Sequence, residues 1–272
     1  MITLRLIRQP TVPLEAECLS PDRLAEQSNA EICEARVYHG KRQLRVDEFF
    51  EVEGERSDIV EVHGDLQRVR HLGRQMSRGS MTIHGDVGMH LGAHMSGGSI
   101  EVHGNVSDWL GGEMKGGRIH VHGRGGQQLG AAYRGSPMGM RGGTIVVEQG
   151  AGIEIGMRMR RGLIIVGGRA GDFVGLQMKG GTIVLCEGAE IRTGAWMQRG
   201  TIISLTEIPL MPTFTYSGSY NPTFANILAG RLAQWGKTLP FDATEGVYNR
   251  YCGDNAIPGK GEVLVWQPHT SD

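Results

Sequence analysis

The stretch SMTIHGDVGMHLGAHMSGG (80–98) is followed at once by SIEVHGNVSDWLGGEMKGG (99–117), and the pair decides the fold. Further copies follow: RIHVHGRGGQQLG from 118, LIIVGGRAGDFVGLQMKGG (163–181) and TIVLCEGAEIRTGAWMQRG (182–200). The closing glycine falls at Gly79, Gly98, Gly117, Gly143, Gly162, Gly181 and Gly200, in steps of 19, 19, 26, 19, 19 and 19. Met76, Met95, Met114, Met140, Met159, Met178 and Met197 keep the same beat, as does an earlier glycine from Gly73 to Gly194. One insertion of seven residues, between Gly130 and Met140, accounts for the long step.

A period near 20 marks a solenoid. Nineteen residues cannot hold two helices and their turns, and each unit opens with an alternating β-branched segment such as Ile100-Glu101-Val102 or Ile119-His120-Val121. Glycine then recurs where the chain must turn. The reading is an all-β chain: a single-stranded right-handed parallel β-helix of about seven turns spanning 58–205, with the insertion at 131–137. Met81, Ile100, Ile119, Ile145, Ile164 and Ile183 form one inward ladder, and Ile83, Val102, Val121, Val147, Val166 and Leu185 the next.

Residues 1–57 lack the repeat and are expected to cap one end, with a strand over 1–7, a short helix opened by Ser20-Pro21 and running to Gln27, and strands or a part-turn over 35–38 and 44–52. Residues 206–272 cap the other end. Pro209, Pro212 and Pro222 end regular pairing there. Asn221-Pro222 opens a helix over 222–235 with Phe224, Ile227, Leu228, Leu232 and Trp235 on one face and Gly236 as its stop, and a last strand covers 261–266.

Composition excludes several functions. A net charge of −1 offers no basic surplus for nucleic acid or acidic lipid. No apolar run reaches the ~20 residues of a membrane span, and MITLRLIRQP has no signal-peptide core. Cys18, Cys33, Cys186 and Cys252 are scattered, which suits reduced thiols in a cytoplasmic protein.

The outward residue of the first strand is Glu61, Thr82, Glu101 and His120 in the first turns, then Val146, Ile165, Val184 and Ile203. Four stacked β-branched residues are not expected on bare surface. The stripe is expected to be covered, by the 222–235 helix or by another protein chain.

Candidate chemistry is sparse. His63, His84, His103 and His122 form a column that reads as a structural or solvated ladder, since stacked copies of one position fading into Glu148, Gly167 and Cys186 do not converge on a tetrahedral site. His71, His90 and His94 cluster beside Trp109 without a carboxylate at ligand spacing. The methionine column reads as interior filling. Neither a catalytic nor a metal-binding residue is assigned on this chain. The insertion, with Tyr133 and Arg134, is the candidate contact for a partner or carrier.

The repeat resembles the C-terminal domain of the glutamate synthase large subunit. Pro212-Thr213-Phe214, Gly253-Asp254, Gly259-Lys260-Gly261-Glu262 and the AAYRGS loop extend the likeness, and with them the chain resembles the C subunit of formylmethanofuran dehydrogenase and of the bacterial formyltransferase/hydrolase complex. That resemblance implies a non-catalytic scaffold in one-carbon metabolism, methylotrophy and formaldehyde oxidation included. The implied complex moves formyl from formyl-tetrahydromethanopterin to a methanofuran-type carrier and hydrolyses it to formate. It implies three sister chains: an amidohydrolase-like A subunit that holds the metal, a B subunit, and a formyltransferase-like D subunit. No cofactor is implied on this chain. The alternatives are the C subunit of a CO2-reducing formylmethanofuran dehydrogenase, a stand-alone glutamate-synthase-like module, and a β-helical acyltransferase using a histidine such as His103. The 19-residue period argues against the last, whose class repeats in hexads.

Overall fold

The computed structural model describes residues 1–233 and 246–267. Over these the chain is mostly β, with three short helices, Pro21–Leu24, Asn29–Glu34 and Thr223–Ala233. Among the described residues a sheet of thirteen strands carries the fold. Its middle is parallel throughout: Ile59–His63, Ser80–His84, Ser99–Val102, Arg118–Val121, Arg141–Val147, Arg161–Val166, Lys179–Leu185 and Arg199–Ser204 lie side by side in chain order.

The register is that of the sequence repeat. Ile100 pairs with Ile119 and Ile119 with Ile145. A second line of contacts, Leu66 to Val87 to Val106, runs through the same repeats away from these strands. The turns are tied too: the amides of Gly92, Gly111 and Gly130 donate to the carbonyls of Leu72, Leu91 and Leu110. Each unit therefore hydrogen-bonds its neighbours around its length, which no unit satisfies alone. The two inward ladders and all seven methionines of the repeat are buried in one core. Each such side chain contributes about 1.5–3 kcal/mol through removal from water. Among the described residues no helix is long and apolar enough to cross a membrane.

At the N-terminal end Ile2–Leu6 lies parallel to Ile59–His63 and antiparallel to Phe50–Glu53, so it takes the place next to the first repeat. The helix at Pro21 is one turn long, and Ser20 does not cap it through its hydroxyl, which donates to Asp22 instead. A second helix, Asn29–Glu34, stands where the sequence pattern predicts none. Ser28 and Glu31 close a capping box, with the Ser28 amide 2.8 Å from Glu31 Oε2. The segment 44–52, expected as a strand or part-turn, divides among the strand Arg42–Arg45, a 3-10 turn at Val46–Glu48 and the strand Phe50–Glu53.

At the other end Gly261–Gln267 pairs parallel with Arg199–Ser204 and continues the sheet. Val247–Gly253 and then Thr215–Tyr220 follow antiparallel. The prolines at 212 and 222 thus bracket a strand rather than ending pairing, because both stand outside it. The helix begins at Thr223, after Pro222. Trp235 and Gly236, its expected end, lie outside the described residues.

Candidate functional site

The histidine column is a true stack. Ring centroids of His63, His84, His103 and His122 succeed one another at 4.5, 5.0 and 4.8 Å, with planes within 11° of parallel. This follows from the parallel register, which sets equivalent residues one strand spacing apart. Burial, with His63 and His103 as neighbours, holds His84 below the usual imidazole range.

Contrary to the expectation from the sequence, the column does converge where it meets Glu148. Side chains alternate along a strand, so His120 and His122 share a face. Parallel pairing sets Glu101 beside His120, and Glu148 follows Val147, the partner of Val121, so that it stands beside His122. The four close on the diagonals as well. His122 Nε2 lies 2.9 Å from Glu101 Oε1 and His120 Nε2 lies 2.9 Å from Glu148 Oε1. Across the strands His122 Nδ1 lies 3.2 Å from Glu148 Oε2, and His120 Nδ1 lies 3.5 Å from Glu101 Oε1. His120 is buried at 7% exposure. The hydrogen bond from His122 holds the Glu101 carboxyl below its ordinary range against the opposing effect of burial, with help from the charge of His120 and His103. The signal is present in the sequence: Glu-x-His at 101–103, His-x-His at 120–122, and Glu148 in register. A reading down one column misses it, because the four residues belong to two.

The other histidine group sits on the turns. His71, His90 and Trp109 hold left-handed backbone, with φ of 63, 66 and 65°. The cost of about 1–2 kcal/mol per residue is offset by amides that reach the next repeat, His90 to the carbonyl of Asp108 and Trp109 to that of Gln127. The inserted loop folds back over them. Tyr133 stacks on Trp109 at 4.7 Å and its hydroxyl lies 2.9 Å from His90 Nδ1. Burial pushes the phenol up to about 12 and the His90 imidazole down to about 4, the latter with help from His71, Arg70 and Arg74. Tyr133 is therefore spent on docking the loop, and Arg134 is left exposed.

Arg158 Nη1 donates to the Ser136 carbonyl at 2.7 Å and Lys179 Nζ to that of Pro137 at 3.0 Å. These pins border a groove of about 630 Å³ lined by Gly135, Pro137, Arg158, Gln177, Lys179 and Trp196, among others.

The apolar stripe lies under cover. Val146, Ile165, Val184 and Ile203 are buried in a second core with Tyr248 and Leu264, and Phe224 and Trp266 pack against it. Among the described residues the helix brings Phe224 against this core, and the hairpin of Val247–Gly253 and Gly261–Gln267 extends it, with Leu264 in register beside Ile203.

The GXGXG motif family profile matches residues 59–210, more than half of the chain. The C subunit of the tungsten-containing formylmethanofuran dehydrogenase 2 of Methanothermobacter wolfeii is 38% identical over 86 residues, 30% of this chain and 32% of that protein. The C subunit of the molybdenum-containing formylmethanofuran dehydrogenase 1 of Methanosarcina barkeri is 38% identical over 83 residues, 29% of this chain and 28% of that protein. The match thus spans about a third or less of the length of these curated relatives. A chain of the formyltransferase/hydrolase complex of Methylorubrum extorquens, crystallised with methylofuran, is similar over its whole length. It superposes with a TM-score of 0.90 at 33% identity, covering 98% of this chain and 100% of that one. On the profile and the end-to-end likeness together, the chain belongs to the GXGXG motif family, with the C-subunit chains of formylmethanofuran dehydrogenase and of the formyltransferase/hydrolase complex.

Proposed function

We propose that this protein is the non-catalytic scaffold subunit of a formyltransferase/hydrolase complex in one-carbon metabolism. The observation that carries the reading is the end-to-end likeness to a chain of such a complex, at 33% identity over 98% of the sequence. The dehydrogenase relatives match only about a third of their own length, so the hydrolase assembly is the favoured context. In this reading the 19-residue units wind as a right-handed parallel β-helix of about seven turns, closed by 1–57 and 206–272. Its sister chains are an amidohydrolase-like A subunit, a B subunit and a formyltransferase-like D subunit. Formyl passes on them from formyl-tetrahydromethanopterin to a methanofuran-type carrier and then to water, and the metal of the hydrolytic step belongs to the amidohydrolase-like chain.

The geometry supports a passive role. Among the described residues the histidines of the repeat stack on one another or meet a carboxylate or Tyr133, and His39 meets Thr11 and Phe49. A rigid column fixed by repeat-to-repeat hydrogen bonds suits the holding of other chains at set distances. The loop around Arg134, with Tyr133 as its anchor and the neighbouring groove beside it, is the contact surface for a sister chain or for the carrier. Co-expression with the three companion genes tests this reading. A stable hetero-oligomer by native mass spectrometry is expected, and Arg134→Glu weakens it or raises the KM for the carrier. A chain that stays apart from all three companions contradicts the proposal.

A further inference from the structure

The quartet at the end of the histidine ladder has more ligand atoms than an ion pair needs. One ligand atom each from His120, His122 and Glu148 lies within 4.8 Å of the other two, as in two further sets, Glu61, His63 and His84, and Glu101, His103 and His122; of the three sets only that of His120 has a buried member. In a tetrahedral sphere with bonds of ~2.0–2.1 Å, ligand atoms stand about 3.3 Å apart. His120 Nε2 stands 2.9 Å from Glu148 Oε1 and His122 Nδ1 3.2 Å from Glu148 Oε2, so both imidazoles bear on the one carboxylate at separations near that value.

The remaining contacts follow the pattern of an outer shell. With Nδ1 of His122 toward Glu148, its Nε2 points at Glu101, 2.9 Å away. A carboxylate on the far nitrogen fixes the tautomer and the plane of a ligating imidazole and raises its basicity. Glu101 stands in that place. His120, buried at the base, holds one ligand rigidly, while Glu148 and His122 are open to solvent and leave a path for entry. Two imidazoles and a carboxylate suit a borderline first-row divalent ion and not magnesium or calcium, which take oxygen.

We propose that His120, His122 and Glu148 bind one zinc-class divalent cation, with Glu101 orienting His122 from behind. The site is built from three successive repeats, from Glu101 on one, His120 and His122 on the next, and Glu148 on the third, so a bound ion ties three units together. The inference stands whether or not the functional reading does.

The full chain, stripped with a chelator and checked for folding by circular dichroism, is titrated with Co(II) and then Zn(II). One equivalent per chain is expected, with the visible absorption of tetrahedral Co(II) and its loss on displacement by Zn(II). Glu101→Gln weakens binding by about 10–100-fold, the range for an outer-shell partner. Glu148→Gln and His122→Asn weaken it further and abolish the tetrahedral spectrum. His39→Asn, off the ladder and bonded to Thr11, leaves affinity unchanged. Where Glu148→Gln or His122→Asn disturbs the fold, Glu101→Gln, on a half-exposed residue, still decides. No stoichiometric binding by the wild type overturns the proposal, as does binding that Glu148→Gln and Glu101→Gln leave intact or that His39→Asn removes.

Discussion

The ε-methyl of Met95 lies 2.7 Å from where a Cβ on Gly117 would stand, and Gly117 has a φ of +85°. The methionine of one repeat thus fills the space that the closing glycine of the next leaves free. Met76 and Gly98, and Met114 and Gly143, repeat the relationship. This is why the two columns keep one beat in the sequence. Gly117→Ala meets the methyl, the Gly97 carbonyl at 2.8 Å and an unfavourable backbone at once. It is expected to cost about 2–5 kcal/mol. Met95→Ala costs about 2–5 kcal/mol by cavity formation. The double variant costs less than the sum, because the methyl clash is gone while the carbonyl clash stays. Urea midpoints at constant slope measure all three.

Tyr133 anchors the inserted loop through one hydrogen bond and a stack on Trp109. Tyr133→Phe keeps the stack and loses about 1 kcal/mol. Tyr133→Ala loses both and loosens the loop, which then hangs on the backbone contacts to Glu113, Arg158 and Lys179. Limited proteolysis is expected to cut within 131–137 much faster in Tyr133→Ala than in the wild type, with Tyr133→Phe close to wild type. Equal rates in all three contradict the docking.

His90 takes up its proton only near pH 4 in the folded chain, held down by burial and by its neighbour His71, whereas the unfolded chain binds it near 6.5. Between these values the unfolded state holds more protons, so stability falls as pH drops from about 6.5 toward 4 and is full above. His71 and His94 are held down by burial too and act in the same direction. Melting temperatures at pH 7 and 5 should show a larger loss in the wild type than in His90→Asn, a residue that tolerates left-handed backbone.

Tyr248 is among the largest fully buried side chains and belongs to the same buried cluster as the apolar stripe. Tyr248→Ala is expected to destabilise by about 3–5 kcal/mol, as other buried aromatic truncations do. It also opens that cluster, so dye binding to apolar surface should rise. An unchanged melting temperature contradicts the assignment of Tyr248 to this core.

The repeat is legible because three spaced columns over seven units encode one hydrogen-bonding register. Parallel pairing carries that register into the structure, Ile100 to Ile119 to Ile145. The segments outside the repeat have no such redundancy. Ser28-x-x-Glu31 is a capping box written in four residues, a faint signal between stronger ones. The strand Val247–Gly253, with Tyr248, Arg250 and Tyr251 along it, lacks a clean period-two pattern and is held by its partners on both sides. The quartet joins residues 101 to 148, a relation visible only after the register is applied laterally and the insertion is subtracted. Arg134 stands out by residue type, but only the structure shows Tyr133 turned inward beside it.

The central claim is that this chain organises a reaction which other chains perform. Formate release from a formylated methanofuran-type carrier tests it most directly, measured for the chain alone, for the companion chains without it, and for all together. The account predicts no turnover by the chain alone and full turnover only for the complete assembly. Formate production by this polypeptide without companions, or undiminished turnover by the companions in its absence, would contradict it.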